Sequence, residues 1–525
     1  MARVYDAVVI GAGHNGLTCA CYLARAGLSV LVLDQYHTVG GMTTTEEITL
    51  PGFRSDVHAF GYQFANLSPV PRELGLASFG FELLRPEFNF SQVFPDGGRI
   101  SMHRSVDDTV RSMGRYSKQD GEKWRGLAAK FVQARDEIAA WMNSPPAPFQ
   151  ESNDRLARMP HGMDEYRFDL QSVRSWTNEQ FEAEESRVFL GAFACHATLG
   201  PDDVGGAHLA WLFTGLIQDV GNRAVQGGMH NLSLALAAYL QSKGGQVRTG
   251  ARVSQIVVGD GRAKAVRLTD GEEIPVTRLV ASNADPRQVI VDFLGEQTVG
   301  PELVQKIQRY EWGDAYMVIY LALDAPLEFR AGPEAGQSAY VHATPPSLEY
   351  LARIYAECRS GRLPAEPLLV MCNDSAIDPS RAPAGKAVMK VIVHNVPYDI
   401  CGDATGVISE RTWEQVKEPY ADYLLTHIGK RFVPGLQSRI LRRVVHSPRD
   451  IERAMPSAVR GTVCHGAFLP YQSGSLRPLP ELGQYRTPID NVYLCGSGSH
   501  PGGGVSMAPG RNAANVILSD LKEHP

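Results

Sequence analysis

The chain has 525 residues, a formal net charge of −6, 44% hydrophobic residues and 21% charged residues. This composition is ordinary for a soluble globular protein, and the length accommodates about two to four domains. Mild acidity without a polybasic run gives no reason to expect nucleic acid as a partner.

The eight cysteines form no C-x-x-C pair and no zinc-ligand spacing. They read as buried thiols in a reduced, intracellular protein. The first strand begins within a few residues of Met1, so no leader is expected ahead of it. No apolar run has the length of a spanning helix. The expected location is the cytoplasm, with peripheral membrane contact and self-association left open.

The run Asp6-Ala-Val-Val-Ile-Gly-Ala-Gly-His-Asn-Gly16 predicts a buried strand over 7–10 followed by a G-x-G-x-x-G turn. A helix over 17–26 and a second strand over 29–33 follow, ending in Asp34, which stands 18 residues beyond Gly16. In such a unit Gly11 permits the tight turn, Gly13 exposes bare backbone to a pyrophosphate, and Gly16 lets helix and strand approach. The helix N-terminus offers free N–H groups to the phosphates. Asp34 suits an adenosine ribose and would repel a 2′-phosphate, which leaves NAD or FAD.

Gly40-Gly41 in the segment TVGGMTTT (38–45) brings backbone close to something bulky. The stretch FRSDVHAFGY (53–62) is polar and aromatic, with His58 and Tyr62 standing out. Short strands and turns are expected over 71–102, with a hairpin turning at Asp96-Gly97. From Val106 to Met142 the spacing is helical. Trp124, Leu127, Phe131, Ala134, Ile138 and Trp141 recur at three- and four-residue steps, as a core face or one turned to membrane or substrate. Ser144-Pro-Pro-Ala-Pro breaks this pattern, and helix resumes over 164–216.

Near Val225-Gln-Gly-Gly-Met-His the chain is expected to return to the first domain. A helix over 232–243 ends at Gly244-Gly245, and strands follow at 246–249, 253–258, 265–268 and 279–282. Strands at 316–323, 368–372 and 388–394, with a helix over 410–431, suggest a mixed domain. The C-terminal part repeats the opening theme: a strand at 491–495, the loop Gly496-Ser-Gly-Ser-His-Pro-Gly-Gly-Gly-Val505, then a helix over 508–521. Three successive glycines suit backbone lying against a flat or charged group. The expected architecture is α/β with α+β parts. A discontinuous Rossmann-type domain spans 1–70, 225–300 and 480–525, and a mixed sheet-and-helix substrate domain spans 71–224 and 301–479.

With both ends in view, the chain resembles the phytoene desaturase-like flavoproteins, which include carotenoid desaturases, carotenoid isomerases and retinol saturases. Within them it resembles the pyridine nucleotide-disulphide oxidoreductase domain-containing protein 2 branch. VVIGAGHNGL (8–17), GGMTTT (40–45), GGM (227–229), TGARVSQIVV (249–258) and CGSGSHPGGGVSMAPGRNAA (495–514) carry the likeness. The resemblance implies FAD in an extended pose. Gly11, Gly13, His14, Asn15, Gly16, Asp34 and Gln35 would hold the pyrophosphate and adenosine ribose. Gly40, Gly41, Met42 and Thr43 would run along the ribityl chain and flavin, and Val253 would meet the adenine side. Gly496 and Ser497 would approach the pyrophosphate–ribityl region. Gly503, Gly504 and Val505 would lie near the isoalloxazine, with the last helix aimed at its O2.

Flavin oxidation of a C–H bond sends a hydride to N5 and a proton elsewhere. A base would be a histidine: His500 in the glycine loop, His58 beyond Gly-Gly, or His230 after the third Gly-Gly. Tyr62, Arg223 and Arg511 are weaker candidates. No G-x-S-x-G elbow or H-E-x-x-H motif occurs, so hydrolase and metal chemistry are unsupported. A second complete dinucleotide fingerprint is also missing, so electrons are expected to pass to oxygen, a quinone or another acceptor. The leading expectation is a desaturase, dehydrogenase or isomerase of a small apolar, polyene- or isoprenoid-like substrate. A flavin amine oxidase is the first alternative. A non-catalytic binding or chaperone protein, as among the Rab escort proteins, is the second, although those lose parts of the FAD motifs that this chain keeps.

Overall fold

The computed structural model describes residues 4–59 and 61–523. Residues 1–3 and 524–525, and Phe60 within the 53–62 stretch, lie outside the described residues. Strand Tyr5–Ile10 runs parallel to both Val30–Leu33 and Glu273–Ser282. Gln246–Arg248 extends one side, and Val492–Leu494 pairs with Glu273–Ser282 on the other. The sheet is therefore assembled from three separate stretches of chain.

Alternate residues of the first strand serve different cores. Ala7 and Val9 pack with helices His14–Arg25, His230–Ser242 and Ala508–Glu523. Val8 and Ile10 pack with the hairpin Val253–Gly259/Arg262–Leu268 and with the π-helical turn Gln288–Leu294. Both faces are covered, so the strand reads as an unbroken apolar run. The first helix begins at His14, three residues earlier than expected, because Gly13 takes an extended N-cap conformation.

The second sheet has seven strands: Ile440–His446, Ala315–Leu323, Ala387–Val396, Leu369–Cys372, Tyr340–Ala343, Phe88–Val93 and Arg99–His103 in that order. Along Ala315–Leu323 the period of two is explicit. Tyr316, Val318 and Tyr320 face a helical layer formed by Lys118–Met142, Glu184–His196 and Gly206–Val220. Met317, Ile319 and Leu321 face the helix Trp413–Arg431.

The stripe expected over 106–142 divides into helices Val106–Met113 and Lys118–Met142, the second capped by Ser117 Oγ, which accepts from the Asp120 amide at 3.1 Å. Trp124 and Phe131 are wholly buried, and Leu209, Leu216 and Ile217 are buried with them. Trp141, the last residue of the stripe, is 48% exposed, so the stripe is core at its first two turns and open at its C-terminal end. Further exposed apolar side chains lie beyond the Pro-Pro break, where Phe149 is 65% and Met163 78% exposed. The helix Phe149–Arg158 has no buried residue and so leaves no apolar period in the sequence to announce it.

One buried charge cluster ties the segment after the glycine turn to the second sheet. The Asp56 carboxylate accepts from Thr45 Oγ1 at 2.6 Å and from the Met229 amide at 2.9 Å, and it pairs with Arg381 Nη2 at 3.2 Å. Lys390 Nζ donates to the carbonyls of Asp56 at 2.8 Å and His58 at 3.2 Å. Removing Asp56 leaves the buried Arg381 with the Asp374 carboxylate at 3.6 Å as its remaining ion-pair partner, and strips the Thr45 and Met229 donors of their acceptor. Asp56→Ala is expected to lose about 3–5 kcal/mol of stability, measured by urea unfolding, whereas breaking an exposed pair such as Arg125–Asp107 should have no comparable effect.

Candidate functional site: a shared cavity at the glycine turn

The glycine turn is fixed by contacts that no side chain could share. Gly11 has φ +96°. A Cβ on Gly16 would stand 2.1 Å from the Gly11 carbonyl oxygen, and one on Gly510 would stand 2.0 Å from that of Asn15. The last helix is thus pressed onto the start of the first. A Cβ on Gly13 would meet Asn283 Nδ2 at 2.7 Å. That bare edge, with the helix N-terminus behind it, opens into a cavity of about 450 Å³. Ser254 and Arg252 line its first-sheet end, and His196, Phe213, Ile392 and Phe468 line its second-lobe wall.

The residues fit a dinucleotide. Glycine backbone and a helix N-terminus suit phosphates. His14 Nε2 and Asn15 Oδ1 are buried acceptors without a protein partner, which suits a ligand rich in hydroxyls. The Asn15 amide donates to Ser497 Oγ at 3.1 Å, joining the two glycine loops. Asp34 accepts from the Ala12 amide at 2.6 Å and the Tyr36 amide at 2.8 Å. Burial nevertheless raises its pKa above the usual carboxylate range.

Of the residues singled out from the sequence, Gly11, Gly13, His14, Asn15, Asp34 and Gln35 line the cavity. So do Gly41, Met42, Val253, Ser497, Gly504 and Val505, and also His58. Others stand behind the lining. Gly40 backs onto His230, a Cβ there falling 3.3 Å from the ring. Thr43 Oγ1 is 2.6 Å from Ser233 Oγ. Gly16 backs onto Gly11, and Cβ atoms on Gly496 and Gly503 would meet Asn283 and Cys464.

Two of the three candidate bases are elsewhere. His500 is fully buried and packs edge-on against Trp141, its Nε2 2.9 Å from the Trp141 carbonyl. It latches the glycine loop to the helical layer. His230 Nε2 lies 3.4 Å from Thr38 Oγ1 at the start of its helix. Arg511 binds Glu73 at 2.9 Å and the Asn143 carbonyl at 2.8 Å. His58 lies in the lining with Nδ1 3.2 Å from the Tyr316 hydroxyl, and burial holds its pKa at about 3. Sequence reasoning missed Tyr316, His196, His394 and His465, all in the lining. No local motif marks them, because strands and helices far apart in sequence bring them together.

A split, mostly parallel sheet whose glycine turn opens onto a cavity shared with a second sheet is the architecture of an FAD-dependent oxidoreductase. The chain belongs to the flavin-containing amine oxidoreductase family, whose model matches residues 16–518. Its cofactor is FAD. It is 29% identical over 563 residues to pyridine nucleotide-disulfide oxidoreductase domain-containing protein 2 of Mus musculus, covering 99% of this chain and 94% of that protein. It is 29% identical over 538 residues to a limonene dehydrogenase subunit of Castellaniella defragrans, covering 98% and 95%. It is 25% identical over 526 residues to phytoene desaturase (lycopene-forming) of Pseudescherichia vulneris, covering 98% and 99%. The resemblance to phytoene desaturase-like proteins therefore holds. Among solved structures, an oxidoreductase from Methanosarcina mazei matches with TM-score 0.62 and 19% identity over 98% of this chain and 99% of that one, a likeness of fold.

Gly510→Ala is expected to force the last helix off the first. The purified variant should retain less than about a tenth of the wild-type flavin absorbance per protein, with retention in the exposed-helix control Gly126→Ala unchanged. The pH response has a defined sign. Burial holds His14, His196 and His500 at about 4 and His58 and His465 at about 3. The unfolded chain therefore takes up more protons below about pH 6.5, and stability falls as pH drops from there towards 4. Asp285 and Asp314, raised to about 6 by burial, work in the opposite sense and are outnumbered. His500→Phe should flatten the slope of urea stability against pH by about 1.4 kcal/mol per pH unit in this window.

Proposed function

We propose that this chain takes a hydride from a C–H bond of an apolar, isoprenoid- or polyene-like substrate, as a dehydrogenase, desaturase or isomerase. The observation that carries this reading is the second-lobe wall of the cavity. Phe64, Phe213, Ile392, Val463 and Phe468 line it, and among the described residues no charged side chain does. The charged lining groups, Asp34, Arg252 and Asp292, belong to the end built on the first sheet. The names of two relatives, a limonene dehydrogenase subunit and a phytoene desaturase, agree with such a substrate. An amine substrate would bring an ammonium group, and the wall offers it no carboxylate.

Gly11, Gly13, His14 and Asn15 would hold the pyrophosphate region of FAD, Asp34 and Val253 the adenosine side, and Gly41, Met42, Gly504 and Val505 the flavin side. FAD bound there supplies a two-electron acceptor for hydride. The apolar wall orients the substrate and excludes water. Tyr316 and His58 hold each other at 3.2 Å and fix one rim. The His58 imidazole, with its pKa at about 3, is a poor base at neutral pH. The lining therefore favours chemistry in which hydride departure leads. Oxygen or a quinone is the electron acceptor we propose. We place the protein in the cytoplasm, touching a membrane through the exposed apolar side chains of 149–170. Among the described residues no helix is long and apolar enough to cross one.

The test is anaerobic mixing of the FAD-loaded protein with limonene, phytoene and a set of aliphatic amines, followed by the visible flavin band. Bleaching by an isoprenoid and not by the amines is expected. Bleaching by amines alone would overturn the reading.

A further inference from the structure

The apolar wall is interrupted by imidazoles. His196 and His394 line it, and His342 stands directly behind His196. His196 Nδ1 is 3.3 Å from His342 Nε2, and the His196 and His394 rings are 5.0 Å apart and tilted by 33°. The rings sit among Phe90, Phe193 and Phe213. His342 Nδ1 and His394 Nε2 are buried without a protein partner, and His394 is only 8% exposed.

Their protonation follows from what burial penalises. A buried N–H without an acceptor costs more than a buried bare nitrogen, and no carboxylate among the described residues lines this wall to support an imidazolium. His342 therefore keeps Nδ1 bare and donates through Nε2 to His196 Nδ1. That bond fixes His196 as the Nε2–H tautomer. By the same reasoning His394 keeps Nε2 bare and carries its proton on Nδ1. The three rings form a neutral polar patch with a set direction beside Phe213 and Ile392, separate from the His58–Tyr316 pair at the rim. A pure hydrocarbon leaves such a patch unsatisfied. A carboxylate would call for a cation, and none lines this wall among the described residues.

We infer that the substrate carries one hydroxyl, which donates to the bare Nε2 of His394, with His196 and His342 holding the patch in register. His394 is then a specificity-determining residue, and His342 a positioning residue acting through His196. The inference rests on the apolar-substrate reading above and narrows it from hydrocarbons to their oxygenated relatives.

The probes are farnesol and farnesene, an alcohol and a hydrocarbon of one isoprenoid skeleton, titrated into the FAD-loaded protein under anaerobic conditions and followed by perturbation of the flavin spectrum. Farnesol is expected to bind about tenfold or more tightly than farnesene. His394→Phe, which keeps a ring in place, should remove that preference by weakening farnesol alone. His394→Gln, which keeps a polar side chain, should retain part of it, and it serves if the phenylalanine variant fails to fold. Equal affinity for both probes in the wild-type protein, or a preference that survives in both variants, would overturn the inference and leave the apolar reading standing. Failure of both probes to bind would remove the apolar reading, and the inference with it.

Discussion

The joint at Asp56 is the constraint on which the site depends. A cavity that takes one end from a parallel sheet and the other from a mixed sheet has meaning only if the two are held in register. Apolar packing alone is non-directional and would tolerate sliding. Here Asp56 accepts from Thr45 and Met229 and pairs with Arg381, while Lys390 donates to the carbonyls of residues 56 and 58. Each of these bonds has a direction and sits where water cannot replace it, so a shift of an ångström would leave several buried groups unsatisfied. Lys390 lies on the strand Ala387–Val396 that also carries His394. The clamp therefore sets the height of the apolar cavity wall relative to the segment that carries His58.

A second buried cation performs a comparable task at the far glycine loop. Arg477 is fully buried and donates to the carbonyls of Ser497, Ala467, Gln472, Cys464 and Gly466. It binds the cavity-lining segments at 464–468 to the loop at 497. A fully hydrogen-bonded guanidinium in a cage of carbonyls is tolerated where an unpaired one would not be. The same low-dielectric interior that strengthens these bonds keeps the imidazoles neutral. Placement of the lining and the protonation of its histidines thus have one physical origin.

The parts of the molecule legible in the sequence are those whose geometry is local. The glycine spacing at 11–16, the acid at 34 and the glycine-rich loop at 496–505 are short-range patterns with steric reasons, and the first sheet follows from them. Strands such as Ala315–Leu323 are readable as apolar runs, but which residues face which layer is not, because both faces are covered. His500 stands first among the candidate bases by its place in a glycine loop. Sequence position says where a residue is along the chain and nothing about where its ring turns, and here it turns to Trp141. His196 and His394 are invisible for the opposite reason, since only the folded sheet and its helical layer bring them together.

This division has a consequence for how substrate choice can change in such a fold. The dinucleotide end is defined by backbone: a Cβ at Gly16 or Gly510 would collide with a carbonyl oxygen at 2.1 or 2.0 Å, so substitution there is closed. The apolar wall is defined by side chains on strands and helices whose backbone bonds are already satisfied by their own ladders. A ring at position 394 can be exchanged without touching a backbone hydrogen bond. The cost of doing so is local and falls on packing and on the polar patch. The energetics therefore permit the wall to be rewritten residue by residue while the glycine turn stays fixed, and under the proposed function it is the wall, more than the glycine turn, that would carry the information about substrate.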